Sequence, residues 1–429
     1  MKQPPRGRNF FFGPGPTNIP DSVLAAIAHA TVDFNDADFL ELYEGCVAGL
    51  KRLLGTSQHV FLYTASGHGA WEATFANLCT PGDRILMVES GYFSEDWTKM
   101  ARKFGLVVET LSADWRRGAD FGGLRRMLAA DSKSRNPYRA LCIVHNETST
   151  GVRLPLEEAH PLLEETGHPA LLFADTISSF GSMACAMEAW GIDALVGGSQ
   201  KGLMLPTGMS FTAVSEKAMA VHAKTAGMAR CYFDWTEMLG RRQKSFSGTL
   251  PVALFFGLRE SLRRIEEEGL TAVFARHHRL GEGVRRAVRH WSGNAGPELY
   301  CTDPARVSDS VTAIRMPDGQ DAEAIRETTR RRFNVALGCG LGTLRGKVVR
   351  IGHLGDLNEP MVLGALGAVE MSLGINAVPH NPGGVDAAMA WFAEGERPAA
   401  ERPPETRSTE ARPTEARSTG VRSTGAEVA

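Results

Sequence analysis

From about residue 58 to 215, short and wholly apolar runs of β-forming residues alternate with amphipathic stretches of helical length. No other feature constrains the fold so strongly. The spacing predicts strands at His59–Tyr63, Arg84–Val88, Val107–Leu111, Ala140–Val144, Ala170–Ala174, Ala194–Gly197 and Met209–Val214. Helices are expected between them at Gly69–Leu78, Phe93–Phe104, Phe121–Ala130 and Leu156–Thr166. A strand that is apolar at every position needs cover on both faces, so the expected class is α/β, a mostly parallel sheet between helices.

A long helical stretch from Val252 to Trp291, interrupted near Glu268-Gly269, is expected to join this unit to a smaller one. Strands at Ser310–Arg315 and Val348–Ile351 and helices at Asp321–Arg332 and Pro360–Leu373 give that second unit an α+β character. The expected division is an N-terminal arm over 1–20, a large domain over 21–265, a small C-terminal domain over 266–394 and a tail over 395–429. The tail repeats loosely every five residues, with Arg407, Arg412, Arg417 and Arg422 in register. It lacks the apolar surface to offset its ordering entropy and is expected to be disordered.

With 47 basic and 49 acidic residues the formal charge is −2, which leaves no basic field for nucleic acid or an anionic membrane. Small-molecule partners are expected. The seven cysteines form no Cys-x-x-Cys pair, and the run Phe10-Phe11-Phe12 is cut off at once by Gly13-Pro14-Gly15-Pro16, so it makes no secretory core. A reducing cytoplasm, without structural zinc, is the expected setting. His277-His278 reads as a surface pair, and neither His-Glu-x-x-His nor Gly-x-Ser-x-Gly occurs, so zinc and serine hydrolase readings fail.

The chemistry concentrates at the ends of strands. Lys201 follows Val196-Gly197-Gly198-Ser199-Gln200, one of ten lysines among 47 basic residues, and sits past a core strand instead of on a solvated helix face. Open α/β sheets bind ligands at the carboxyl ends of their strands. There a partly desolvated lysine loses basicity and becomes a nucleophile toward carbonyls. A lysine snorkelling from a sheet edge would look the same in isolation. Asp175, however, ends the preceding strand candidate, and a carboxylate beside such a lysine is what pyridoxal phosphate requires: the acid keeps the pyridine nitrogen protonated while the amine holds the aldehyde. Asp175 could instead cap a helix. Ser66-Gly67-His68, between a strand and a helix, offers backbone N–H groups to a phosphate, although a Gly-rich turn is a weak signal and His68 could equally be a cap.

Together these elements resemble the class V aminotransferases of fold type I, in the branch of serine:glyoxylate and alanine:glyoxylate aminotransferases. The resemblance spans roughly residues 9 to 392. Its motifs are Phe12-Gly13-Pro14-Gly15-Pro16-Thr17, Ser66-Gly67-His68, His145-Asn146-Glu147-Thr148-Ser149-Thr150-Gly151, Asp175, Gly198-Ser199-Gln200-Lys201 and Gly346-Lys347-Val348-Val349-Arg350-Ile351-Gly352. It implies a pyridoxal 5'-phosphate enzyme with a large domain and a smaller C-terminal domain, running a ping-pong transamination from a small amino acid, serine or alanine, to glyoxylate or another small 2-oxo acid. By the same resemblance Lys201 binds the cofactor aldehyde, Asp175 faces its ring nitrogen and Phe93 stacks on the ring. Thr148 lies near the ring oxygen and the substrate, Ser66, Gly67, His68 and Gln200 lie on the phosphate side, and Arg350 grips the substrate carboxylate. The family's site forms at a dimer interface, where Phe246-Ser247-Gly248-Thr249 resembles a segment whose Thr249 reaches a neighbouring subunit's phosphate; the expected assembly is therefore a homodimer.

Two departures stand out. Phe246 replaces a common tyrosine, removing one phosphate hydrogen bond, and Asp33-Phe34-Asn35-Asp36 replaces a His-Arg-Gly type segment of bacterial serine:glyoxylate enzymes. Rival readings are a cysteine desulfurase or lyase using Cys339, on the Gly-rich stretch Leu337–Gly342; a pyridoxamine:pyruvate type enzyme, from Arg350-Ile351-Gly352-His353; and a non-catalytic cofactor-binding protein acting through its tail.

Overall fold

The computed structural model describes residues 9–225, 228–241 and 246–394. The repeat tail therefore lies outside the described residues. The central sheet has seven strands in the spatial order His59–Tyr63, Ser210–Val214, Ala194–Gly198, Leu171–Asp175, Ala140–Val144, Arg84–Val88, Val107–Leu111. Ser210–Val214 runs antiparallel to both of its neighbours, and the remaining pairs are parallel. The three middle strands are buried at every position because helices cover both faces. On one face pack Gly67–Leu78 and Tyr92–Lys103, with Trp71 stacked on Trp97 at 5.5 Å between ring centroids. On the other face lie the helices Ala37–Leu54 and Phe121–Asp131.

A second, five-stranded sheet has the order Phe10–Phe12, Val335–Cys339, Val348–Gly352, Val311–Arg315, Glu298–Leu299. Its core joins Leu280, Val284, Val288 and Trp291 of helix Leu270–Trp291 to the apolar faces of Ala322–Phe333, Glu359–Ile375 and Gly384–Glu394. The long helical stretch breaks where expected: Val252–Glu268 ends at Gly269, whose φ of 81° a residue with a Cβ would resist, and Leu270–Trp291 begins beyond it.

Several elements differ from the sequence expectation. Phe10–Phe12 is an edge strand, parallel to Val335–Cys339, so the N-terminal segment is tied into the sheet built by the end of the chain. Val335–Cys339 escaped detection because Ala336, Gly338 and Cys339 carry little β-propensity. Cys339 thus ends a strand instead of sitting on a loop. His277 is no surface residue: it is buried, its Nδ1 donates to the Val273 carbonyl, and its Nε2 accepts the Gly355 N–H. Only His278 is exposed, beside Asp309. Two histidines in succession on a helix face different ways, which is why the pair splits between core and solvent. Among the described residues no helix is long and apolar enough to cross a membrane.

Candidate active site

Register places the chemistry. Val144 pairs with Asp175, and Asp175 with Val196, so three parallel strands end side by side and deliver their following loops to one edge of the sheet. That edge holds a cavity of about 200 Å³ lined by Gly15, Pro16, Gly67, His68, Trp71, Phe93, Val144, Asn146, Thr148, Asp175, Ile177, Ser178, Gln200, Lys201 and Thr207. The cavity thus collects seven of the residues singled out in the sequence: Gly67, His68, Phe93, Thr148, Asp175, Gln200 and Lys201. Ser66, Thr249, Arg350 and Cys339 are not part of its lining.

Lys201 lies in the turn after Ala194–Gly198, buried, with Nζ donating to the Pro14 carbonyl. The N-terminal segment closes over it: a side chain at Gly15 would collide with the lysine, and the Thr17 N–H binds the Gln200 carbonyl at 3.0 Å. Burial, reinforced by the Arg350 charge, pushes the Lys201 amine down to about 7. Asp175 is the last residue of its strand. Its Oδ1 accepts the Ile177 N–H at 2.7 Å and its Oδ2 accepts Trp71 Nε1–H at 3.2 Å. Burial nevertheless dominates and raises its carboxyl to about 7. Trp71 was not expected from the sequence. The spacing Ser66-Gly67-His68-Gly69-Ala70-Trp71 could have suggested it, because position 71 lies one turn in from the helix start and points back along the helix axis.

The helix Gly67–Leu78 starts at Ser66, whose extended backbone makes it the N-cap while its hydroxyl caps nothing. The N–H groups of Gly67 and His68 fall in the first turn, where no intrahelical acceptor exists, so they present an anion site in line with the helix dipole. The His68 ring turns away to Asp96, with Nε2 3.0 Å from Oδ2, and tilts against Trp71 at 4.6 Å. Arg350, in Val348–Gly352, is buried. It donates from Nε to the Cys339 carbonyl at 2.7 Å and from Nη1 to the Thr148 carbonyl at 2.9 Å. The guanidinium is thereby fixed against the loop that lines the cavity, and its Nη2 edge is not used in these bonds. Cys339 contributes its carbonyl to that arrangement. Thr249 is exposed, whereas Phe246 is buried with Phe255 at its edge, 6.2 Å away. The Asp33–Asp36 segment is a surface turn in which Asp33 Oδ1 accepts the Asn35 N–H.

The donor set fits pyridoxal phosphate. A buried amine of lowered basicity suits the aldehyde, a buried carboxyl suits the ring nitrogen, an aromatic side chain borders the space between them, and a helix N-terminus suits the phosphate. Two buried acceptors in the lining, Asn146 Oδ1 and Gln200 Oε1, lack a protein partner. The Asn146 amide is held from its other side, Nδ2 donating to Ser178 Oγ and Ser310 Oγ at 2.8 Å each.

Comparison with known proteins agrees with this geometry. The class-V aminotransferase family model matches residues 9–352. A serine–glyoxylate aminotransferase of Methylorubrum extorquens is 41% identical over 395 residues, covering 90% of this chain and 97% of the relative. An L-aspartate–glyoxylate aminotransferase of Paracoccus denitrificans is 40% identical over 390 residues, again 90% of this chain and 97% of the relative. The crystal structure of an alanine–glyoxylate aminotransferase from Nostoc sp. superposes with a TM-score of 0.78 at 31% identity, over 87% of this chain and 97% of that one.

Proposed function

The chain belongs to the class V aminotransferase family, and on that premise we propose that it uses pyridoxal 5'-phosphate to move the amino group of a small amino acid, serine or alanine, to glyoxylate or another small 2-oxo acid by a ping-pong route. The observation that carries the reading is the convergence of Lys201 and Asp175, from neighbouring strand ends, on one cavity with a helix N-terminus at its side.

Bound pyridoxal phosphate would supply an electron sink for the charge left at the donor's Cα. The chain's residues do the rest. Lys201 Nζ, with its basicity brought close to neutrality, takes the Cα proton and holds it for return, the poise a general acid–base group needs. Asp175 stays charged by partnering a cationic nitrogen, while Trp71 Nε1–H and the Ile177 N–H hold its two oxygens in place. Arg350 binds the substrate carboxylate by its free guanidinium edge, and the Thr148 and Cys339 carbonyls fix the plane of that fork. Gly67 and His68 hold the phosphate through backbone N–H groups, with Ser66 Oγ and the Gln200 amide alongside. The segment Gly13–Thr17 shields Lys201 from water. The assembly we place here is a homodimer, with Thr249, exposed on this chain, facing the neighbour's phosphate. The setting we place it in is the cytoplasm, in keeping with seven cysteines that form no disulfide. Cys339, outside the lining and engaged through its carbonyl, gives no support to a desulfurase.

The test is a half-reaction. Purified holoenzyme is mixed separately with serine, alanine and aspartate, and the visible absorption of the lysine-bound cofactor is followed. One donor should bleach it and glyoxylate should restore it. A spectrum indifferent to all donors, or sulfide released from cysteine, would overturn the reading.

A further inference from the structure

Glu147 is fully buried and has no basic side chain on its carboxylate, yet every lone-pair direction is used. Its Oε1 accepts the Ser149 N–H at 3.0 Å and the Ser149 hydroxyl at 2.6 Å. Its Oε2 accepts the N–H groups of Phe93 at 3.1 Å and Ser94 at 3.2 Å. These last two belong to the first turn of the helix Tyr92–Lys103, whose own N-cap is Gly91, a residue with no side chain to satisfy them. The carboxylate therefore does from a different strand end what an N-cap side chain does locally, and it sits at the positive end of the helix dipole. Ser149 closes the arrangement by accepting the Tyr92 N–H at 3.0 Å.

The residue held in this way is Phe93, one of the aromatic residues of the cavity lining. Its ring packs against the core under the sheet and edge-on to Tyr92, and its height follows the position of the helix start, which Glu147 holds together with Ser149 and Ser94. The geometry points to Glu147 as a positioning residue that fixes Phe93 against the face of the bound cofactor, acting through the first turn of Tyr92–Lys103 without touching the cofactor. This inference rests on the proposed use of pyridoxal phosphate.

Gly91 provides an independent handle. Its backbone is extended and would accept alanine, but the added methyl would fall 2.6 Å from Glu147 Cδ and 2.6 Å from Ser149 Oγ, so Gly91→Ala should push the carboxylate off the helix start while leaving Glu147 in the sequence. The experiment titrates pyridoxal phosphate into the cofactor-free forms of wild type, Glu147→Gln, Gly91→Ala, Phe93→Leu and the Glu147→Gln/Phe93→Leu double variant, reading the dissociation constant from bound-cofactor absorption and the unfolding midpoint in parallel. Glu147→Gln and Gly91→Ala are each expected to weaken binding about tenfold. The double variant should bind within about twofold of Phe93→Leu, because the carboxylate acts on the cofactor through that ring; a further loss in the double variant would instead report its charge acting on Asp175, Lys201 and Arg350. Wild-type affinity in both Glu147→Gln and Gly91→Ala, or losses that multiply in the double variant, would overturn the inference. So would affinities that merely follow the unfolding midpoints. If Glu147→Gln yields no folded protein, Gly91→Ala alone decides. A wild type that binds the cofactor but converts no donor would sink the proposed reaction and leave this inference to stand on the titration; a wild type that binds none would sink both.

Discussion

The two ends of the cavity are built on opposite plans. At the ring-nitrogen end, Asp175, Trp71 and Lys201 are all buried, each polar atom has a specified partner, and burial moves both ionisable groups to about 7. At the end we assign to the phosphate the main donors are backbone N–H groups of a helix start, with Ser66 Oγ and the Gln200 amide alongside, and the His68 side chain is half exposed and paired with Asp96. One end is specified by side-chain identity and the other mainly by chain geometry. Single substitutions should therefore be severe at the first and mild at the second.

The largest expected effect is that of Lys201→Ala. Without the amine the general base is gone, and the single-turnover rate of the donor half-reaction should fall by about 10²–10⁴-fold. A variant that keeps a rate within about tenfold of wild type would remove the basis for contrasting the two ends.

Trp71→Phe comes next. The ring is preserved but the N–H to Asp175 Oδ2 is lost, and a hydrogen bond to a charged group contributes about 1.5–3 kcal/mol. Cofactor affinity, titrated on the cofactor-free protein, should weaken by about tenfold or more. An affinity within about twofold of wild type would make Trp71 a packing residue only.

The burial that distinguishes the ring end also predicts how the cofactor-free protein responds to pH. Asp175 binds its proton more tightly folded than unfolded, so its contribution to stability is present at low pH and is lost as pH rises from near 4 to about 7. Lys201 binds its proton less tightly folded, so its contribution is lowest at and below about 7 and grows as pH rises toward 10.5. The two add to a trough of stability centred near pH 7. Subtracting the unfolding-midpoint profile of an Asp175→Asn/Lys201→Met double variant from that of the wild type should expose it, and a flat difference would show that neither group is perturbed by burial.

The same contrast explains what the sequence disclosed. All five strands predicted between residues 59 and 175 were located to within a residue: the four buried ones because a strand covered on both faces is apolar nearly throughout, and Val107–Leu111, an exposed edge strand carrying Glu109 and Thr110, because of its β-branched residues. Lys201 and Asp175 were legible because charged residues at the ends of apolar runs are expensive to bury and so draw attention. Trp71 was hidden, and so was the role of Glu147, a residue visible only as part of the His145–Gly151 motif. Their work consists of hydrogen bonds between residues 104 and 54 positions apart in the chain, and no local pattern records that. Phe10–Phe12 and Val335–Cys339 were missed for a related reason: they pair over a separation of more than 300 residues, the first is a β-prone run of only three residues cut off by Gly13-Pro14, and the second carries Ala336, Gly338 and Cys339 and is completed by Val348–Gly352 on its other side.

The smallest expected effect separates the two plans most cleanly. His68→Ala removes a half-exposed side-chain contact with Asp96 and a ring tilted on Trp71, but leaves the backbone N–H groups of the helix start where they are. Exposed pairs of this kind contribute about 0.2–1 kcal/mol. Because alanine favours the helix, the first turn should keep its geometry. Cofactor affinity should then fall by no more than about fivefold, with the donor half-reaction unchanged at saturating cofactor. A loss as large as that of Trp71→Phe would mean that the His68 side chain itself carries the phosphate contact, and the phosphate end would then belong with the ring end as a site specified by side chains. His68→Pro, which removes the N–H at the second position of the helix, is the complementary change: a loss of affinity there that His68→Ala does not share, with the unfolding midpoint unchanged, would assign the contact to the backbone.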